Sequence, residues 1–514
     1  MPAKADIDFQ KDLFDAATKM RGSVAPADYK HYVLPLIFLR YLSNRYELRR
    51  KQIEALVNDP NSEWYAPDKE TQDVLMDDPD MYLAENVYIV PEEARWSYIL
   101  KNAKQPNIKE ILDNAMKRLE EENPDLEGML PRIYQGSNLP PENVAGLVEV
   151  FSRDVFSIKE ERSVDVLGRV YEYFISEFAS TEGNRGGEFY TPYSVVVLLV
   201  RMLEPKKGKV LDPACGSGGM FIQSEEYSPN RYELSFYGQE NVTTTARLGK
   251  MNVLLHGINA DIRLGNSLLD DKYKDMKFDF VLANPPFNQS DWGADRISSD
   301  DPRLIGPVTN SNANYMWMQH FFHHLNETGT AGYVMANGAM TTNTGGEKPV
   351  REWFVDNGYI DCVVALPDKL FLSTGIPVCL FFLSKNRDGK GEFRERKNEV
   401  LFIDARKKGS LVSRKQKALS EEEIQEIASV YHAFKRNEEK VEDTPGFCKV
   451  ATIEDIKEKD YKLTPGIYVG TEEIEDDGVT FEEKMEELRT QLLGQFEESN
   501  RLQEKIKKDL EGLV

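Results

Sequence analysis

Apolar positions along the first 150 or so residues recur at spacings of three and four, in YVLPLIFLRYLSNRYELRRKQIEALV and NIKEILDNAMKRLEEE, a pattern that predicts helices. Loops rich in Asp, Pro and Asn, such as VNDPNSEWYAPDKE, separate them. A helical domain is therefore expected over residues 1–150. From 151 to 385 the pattern changes. The helix SVDVLGRVYEYFISEFA and the Gly-rich TEGNRGGEFYTP lead into short apolar runs: GKVLDPACGSGG, LSFYGQE, FDFVLANPPF, AGYVMANG, IDCVVALP and PVCLFFLSK. Helical stretches alternate with them, which predicts an α/β domain with a mainly parallel sheet and helices on both faces. Residues 386–479 read as an appendage with one strand, VLFIDA. Residues 480–514 read as a closing helix. Thr480 and Glu483 form a capping box, and Phe481, Met485, Leu488, Leu492, Phe496, Leu502, Ile506 and Leu510 make one apolar stripe.

At 514 residues the chain is too long for one core, and three or so domains are expected. The formal charge of −23 argues against a chain that holds nucleic acid over its whole surface. It leaves room for a local basic groove, or for a partner that supplies the basic surface. The longest apolar run, VVVLLV at 195–200, is far too short to span a bilayer. The start, MPAKADIDFQKDLF, lacks the apolar core of a signal peptide. Four scattered cysteines without CxxC spacing fit a reducing cytoplasm, with neither disulfides nor a cysteine zinc site.

Two stretches carry chemistry. In VLDPACGSGGMF a strand ends at Leu211, and Asp212 begins a turn through Gly216, Ser217, Gly218 and Gly219 into a helix. Glycines there let backbone approach a ligand beyond the carboxyl end of the first strand. GxGxxG is not met and GxxxxGK[ST] is absent, which argues against a dinucleotide or a phosphate cradle. The next strand ends in Glu240, placed to accept from a ribose, so a nucleoside without phosphates fits best. The second stretch is Asn284, Pro285, Pro286 and Phe287. Two fixed-φ prolines without N–H groups make a stiff corner. Asn284 before them is pushed toward extended backbone. The Asn284 side-chain oxygen and the Pro285 carbonyl then form two acceptors that match a planar amino group, and Phe287 offers a ring for stacking on a heterocycle. Taken singly, an ordinary tight turn and a strand terminator with a packing Phe account for the same residues. His320, His323 and His324 lie in a helix rich in Phe and Met and read as packing histidines. Cys215 reads as a small residue needed for space, and TEEIEDDG as a solvated loop.

Together the two motifs resemble the amino-methyltransferases that use S-adenosylmethionine. The resemblance implies a Rossmann-like catalytic domain. In it Asp212 and the loop Gly216–Gly218 hold the methionine part, Glu240 holds the ribose, and NPPF holds the amino group of adenine at N6. GGEFYTP, continuing into Tyr193, matches the first cofactor motif of the gamma order, and so implies cofactor contacts from Glu188, Phe189, Tyr190, Thr191, Pro192 and Tyr193. LGNSLLDD implies that Asn266 and Ser267 line the cofactor's adenine, although many members carry Asp at the place of Asn266. The surrounding LPLIFLRYLSNRYE, NANYMWMQHFFHHL, LPDKLFLSTGIPVCLFFLSK and VLFIDARKKG are similar to the methyltransferase (M) subunit of type I restriction–modification systems. That similarity implies DNA as substrate, an adenine flipped out of the duplex, and a cytoplasmic enzyme needing no metal and no covalent intermediate. It also implies a specificity (S) subunit that reads the DNA site, two M chains to one S, and a restriction (R) subunit in the full complex. The helix from 480 is expected to dock on the S subunit.

Overall fold

The computed structural model describes Phe14 and residues 30–153, 162–182, 191–230, 233–343, 346–371, 377–413, 416–436 and 441–471, with parts of 485–503. The N-terminal part is helical, as its spacing predicts. Its main helices are α1 (Lys30–Asn58), α2 (Ile108–Glu122) and α3 (Pro141–Phe151), followed by α4 (Arg162–Glu182). In α2 the buried residues Ile108, Leu112, Ala115, Met116 and Leu119 form one face. The opposite face carries exposed pairs such as Lys117–Glu121, so the helix has one dry side and one wet side. The dry sides meet around Trp96, whose indole N–H donates to Ser152 Oγ and whose backbone N–H donates to Ser43 Oγ, both at 2.8 Å. Those bonds satisfy polar groups that burial would otherwise penalise.

The second part is built on β1 (Gly208–Asp212), β2 (Leu234–Glu240), β3 (Ala260–Leu264), β4 (Phe278–Ala283), β5 (Leu325–Ala336), β6 (Ile360–Ala365), β7 (Val378–Ser384), β8 (Glu399–Asp404) and β9 (Cys448–Thr452). They form a nine-stranded sheet in the order β9-β8-β6-β7-β5-β4-β1-β2-β3. The strands β3, β2, β1, β4 and β5 run parallel. β7 is antiparallel to both its neighbours. Every residue of β6 and β7 is buried, which is why their sequences read as continuous apolar runs without alternation. The connecting helices include α5 (Tyr193–Leu203), α6 (Gly219–Tyr227), α7 (Thr243–Leu255), α8 (Asn314–His324), α9 (Glu347–Asp356) and α10 (Glu421–Lys435). From β1 the chain runs outward to β2 and β3, then returns to β4 on the other side of β1. Such a reversal opens a crevice at the carboxyl ends of the two strands.

The helical part and the sheet share a core. Leu248, Met251 and Leu255 of α7 pack in the same cluster as the N-terminal helices. The Tyr41 hydroxyl donates to the Leu254 carbonyl at 3.3 Å, and Arg247 Nε donates to the Gly128 carbonyl at 2.8 Å. Helix α4, which the sequence places at the start of the catalytic part, packs here through Leu167, Val170, Tyr171, Phe174 and Phe178. The sheet therefore stands on a helical base.

Residues 386–479 are not an appendage up to Val469, and this corrects the expectation. β8 pairs parallel with β6, and β9 pairs antiparallel with β8. β8 buries Val400, Leu401, Phe402 and Ile403 consecutively, on both faces of the sheet. Asp361 on β6 is fully buried and receives Arg396 at 2.8 and 2.9 Å and the Tyr431 hydroxyl of α10 at 2.8 Å. Burial alone would raise its pKa, but Arg396 and Arg387 outweigh that and hold it at about 2. Residues up to Val469 thus form one compact unit, and residues from Gly470 a second. Within the second, residues 492–496 are helical, and Met485, Leu492, Leu493, Phe496 and Leu502 are exposed. The capping box at Thr480 and Glu483 lies outside the described residues, as do Phe481, Leu488, Ile506 and Leu510.

Candidate active site

The loop after β1 is shaped by glycine. Gly216 and Gly218 stand at φ +52° and +80°, left-handed values that side chains disfavour. α7 runs very close behind. A Cβ on Gly218 would lie 2.8 Å from Val253 Cγ1, and a Cβ on Gly249 of α7 would lie 2.5 Å from the Gly216 carbonyl oxygen. The Asn252 side chain donates to the Ser217 carbonyl at 2.8 Å, fixing the loop to the helix. Cys215 donates its backbone N–H to the Gln239 carbonyl at 3.1 Å, and burial pushes its thiol well above the ordinary range. A thiol held protonated is no nucleophile, in accord with its reading as a packing residue.

Two carboxylates face this loop. Glu240 ends β2 and accepts from Gly216 N–H at 3.1 Å and Val242 N–H at 2.9 Å. Asp212 ends β1, is 2 % exposed, and accepts from Ala214 N–H at 3.0 Å. Burial, reinforced by the charge of Glu240, pushes Asp212 up to about 8. Two acids at the mouth of one crevice form an acceptor set suited to a cationic, hydroxyl-bearing ligand. S-adenosylmethionine has an ammonium, a sulfonium and ribose hydroxyls, so these residues fit it.

The segment after β3 is tied to the loop after β1. Asn266 uses its side-chain oxygen to accept from Leu268 N–H at 3.1 Å and Leu269 N–H at 3.3 Å. Ser267 is buried and donates to the Pro213 carbonyl at 2.6 Å, beside Asp212. Arg303, 9 % exposed, holds the same segment from behind. It donates to the Leu268 carbonyl at 2.9 Å and the Ser267 carbonyl at 3.3 Å, and pairs with Asp301 at 2.7 Å. His320 Nδ1 lies 3.2 Å from Arg303 Nη1, and His324 Nε2 lies 2.8 Å from Asp271 Oδ2. Asp271, His320 and His324 come within 4.8 Å of one another. The Arg303 guanidinium lies against this cluster, and both imidazoles are buried.

The NPPF corner leaves β4 at the other side of the crevice. Asn284 Nδ2 donates to Thr191 Oγ1 at 2.9 Å. This turns Asn284 Oδ1 the other way, where it is buried and has no hydrogen-bond partner among the described residues. The Phe287 ring meets Phe371 edge-on at 5.8 Å. Thr191 therefore contacts the corner, Pro192 caps α5 and Tyr193 is 61 % exposed in its first turn. Glu188, Phe189 and Tyr190 lie outside the described residues. The structure thus brings Thr191, Asp212, Gly216, Ser217, Gly218, Glu240, Asn266, Ser267 and Asn284–Phe287 to the carboxyl edges of β1, β2, β3 and β4. Sequence reasoning missed Gly249 and Arg303. Neither stands in a local pattern, because each acts across a tertiary contact.

A glycine loop, two acids and an Asn-Pro-Pro-Phe corner at a strand-order reversal define a Rossmann-like methyltransferase acting on an amino group. The N-6 DNA Methylase family matches residues 162–477, and the HsdM N-terminal domain matches residues 9–151. The chain is 44 % identical to the type I restriction enzyme MjaIX methylase subunit of Methanocaldococcus jannaschii, over 98 % of this chain and 91 % of that one. It is 40 % identical to the HindI methylase subunit of Haemophilus influenzae, over 82 % and 99 %. A crystal structure of the type I restriction-modification methyltransferase subunit from Streptococcus thermophilus superposes with a TM-score of 0.76 at 26 % identity, covering 91 % of this chain and 100 % of that one. The chain belongs to the N-6 DNA methylases, among the methylase subunits of type I restriction enzymes. It is an adenine-specific DNA methyltransferase, and the methyl donor is S-adenosylmethionine. Among the described residues, no helix is long and apolar enough to cross a membrane.

Proposed function

We propose that NPPF receives an adenine flipped out of DNA and that the loop after β1 holds the methyl donor beside it. The carrying observation is the Asn284 carboxamide: its nitrogen is committed to Thr191, and its oxygen is buried without a partner among the described residues. Such an oxygen invites a donor, because an unmade buried hydrogen bond is costly. The N6 amino group supplies two donors, for Asn284 Oδ1 and the Pro285 carbonyl. Accepting both draws the nitrogen lone pair away from the ring. Phe287 stacks on the base, contributing roughly 1–3 kcal/mol against the work of unstacking it. When bound, S-adenosylmethionine supplies an electrophilic methyl. Asp212, Gly216–Gly218 and Glu240 hold its methionine and ribose, Asn266 and Ser267 border its adenine, and Thr191, Pro192 and Tyr193 add contacts from the start of α5. The chain's contribution is alignment and electrostatics.

Sequence reading of DNA belongs to a specificity subunit, because the chain carries a charge of −23. The exposed Leu492, Leu493, Phe496 and Leu502 supply an apolar surface with which the C-terminal helix docks on that subunit. Two methylase chains join one specificity chain, and a restriction subunit completes the complex in the cytoplasm. The test is Asn284→Ala in the assembled methylase with labelled S-adenosylmethionine. Methyl transfer to DNA is expected to fall by at least about a hundredfold while cofactor affinity changes less than about threefold. Near-normal turnover would remove Asn284 from the amino-group site.

A further inference from the structure

The NPPF corner is fastened at its far end by two asparagines. Asn288 follows Phe287 directly and stands at φ +50°, a conformation that residues with a Cβ keep only when held. Asn314, the first residue of α8 and 2 % exposed, holds it. The Asn288 N–H donates to Asn314 Oδ1 at 3.0 Å, and Asn314 Nδ2 donates back to Asn288 Oδ1 at 2.9 Å. Asn312 Nδ2 donates to the same oxygen at 3.4 Å, and Ala313 N–H donates to the Gln289 carbonyl at 3.0 Å. Asn314 is itself fixed, since its N–H donates to Asn312 Oδ1 at 2.8 Å. Tyr315, Met316, Trp317 and Met318 of the same helix are buried, so the clamp is mounted on core. Only a side-chain amide offers acceptor and donor together at this reach; a carboxylate lacks the donor and a hydroxyl lacks the length.

We propose that Asn314 is a positioning residue for methyl transfer. It locks the backbone directly after Phe287, so that the ring stays where the target adenine stacks. Asn284 is oriented by Thr191 at the start of the corner and Asn288 by Asn314 at its end. The three residues between are thereby held at both ends against different elements. The proposal rests on the reading of NPPF as the adenine site. Released from Asn314, Asn288 relaxes toward negative φ and the chain after Phe287 turns away from its present course.

The test uses the methylase assembled with its specificity subunit, tritiated S-adenosylmethionine and DNA prepared without methylation. Asn314→Ala is expected to lower kcat about 10- to 100-fold, as misplacement of a reacting group does, with cofactor Kd within about twofold of the parent. Asn314→Asp keeps the acceptor for the Asn288 N–H and loses the donor, so its loss is smaller. Asn288→Gly adopts the positive φ unaided and retains more activity than Asn288→Val, whose branched side chain resists it. Parental kcat in Asn314→Ala overturns the proposal. A parallel fall of kcat, cofactor affinity and Tm also overturns it, since that marks a merely structural residue. If Asn314→Ala does not fold, equal activities of Asn288→Gly and Asn288→Val overturn it, and the expected order upholds it. Asn284→Ala in the same assay separates the two readings. If it is active, the adenine site is misplaced; if it is inactive beside a fully active Asn314→Ala, only the clamp fails.

Discussion

The Ser267 hydroxyl donates to the Pro213 carbonyl at 2.6 Å, so the segment after β3 is stitched to the loop that carries Asp212. Arg303 braces the same segment through the carbonyls of Ser267 and Leu268. Replacing it with Ala leaves two buried carbonyls without their donor, at about 1–3 kcal/mol for each unmade bond, and takes the guanidinium from the Asp301 carboxylate, which retains the backbone N–H of residue 303. Arg303→Ala is expected to weaken S-adenosylmethionine binding at least about tenfold and to lower Tm. Arg303→Lys recovers little, because an ammonium lacks the planar fork. Calorimetric titration checks both; unchanged affinity in Arg303→Ala would show that the brace does not shape the cofactor site.

Gly249 lies on α7, yet a side chain there would meet first the Gly216 carbonyl of the loop after β1. A methyl group there would stand 2.5 Å from that oxygen, and backbone cannot swing aside as a side chain can. Gly249→Ala should therefore move the loop and weaken cofactor binding by about tenfold or more, despite Ala's better helix propensity. Gly257→Ala serves as a comparison on the same connection, since a Cβ at Gly257 meets nothing within 4 Å among the described residues. Its backbone at φ +72° predicts a loss of stability alone. Equal cofactor affinity in the two variants would refute the argument.

Asp212 titrates near 8 in the folded chain, against about 3.9 when unfolded. Between those values the folded chain keeps a proton that the unfolded chain has lost, so stability falls as pH rises from about 4 toward 8. Asp212→Asn is neutral throughout. Thermal unfolding without cofactor, followed from pH 5 to 8, should show the parent losing stability relative to the variant. Parallel curves would place Asp212 in a more polar setting. Asp212→Ala should bind S-adenosylmethionine at least about tenfold more weakly, because it removes the carboxyl group offered to the ligand at the end of β1.

Deleting residues from 480 onward should leave residues up to Val469 folded, since those residues form a unit of their own. Cofactor binding is expected to persist, while co-purification with the specificity subunit and site-specific methylation are lost. Pull-down of the truncated chain with that subunit decides the point: retention at normal affinity would assign the exposed Leu492 and Phe496 another role.

The sequence by itself determined what depends on local backbone chemistry. Asp212 and the glycines after it, Glu240 at the end of β2 and the two prolines at 285–286 all act through the conformation of their own few residues. Alternating strand and helix patterns predicted the α/β fold, and the resemblance of these motifs to the amino-methyltransferases implied the class of reaction. Only the tertiary structure decided the contacts between segments far apart in the chain. Gly249 must be small because Gly216 passes behind it. Arg303 lies in a polar loop with no periodicity, and its importance comes from the carbonyls it meets. Asn284 was legible as an acceptor, but its orientation depends on Thr191, 93 residues away. The strands after residue 385 looked detached because nothing local records which sheet edge a strand will join. That choice is made by the backbone groups that β6 leaves unpaired and by the burial of Val400–Ile403, both properties of the assembled sheet.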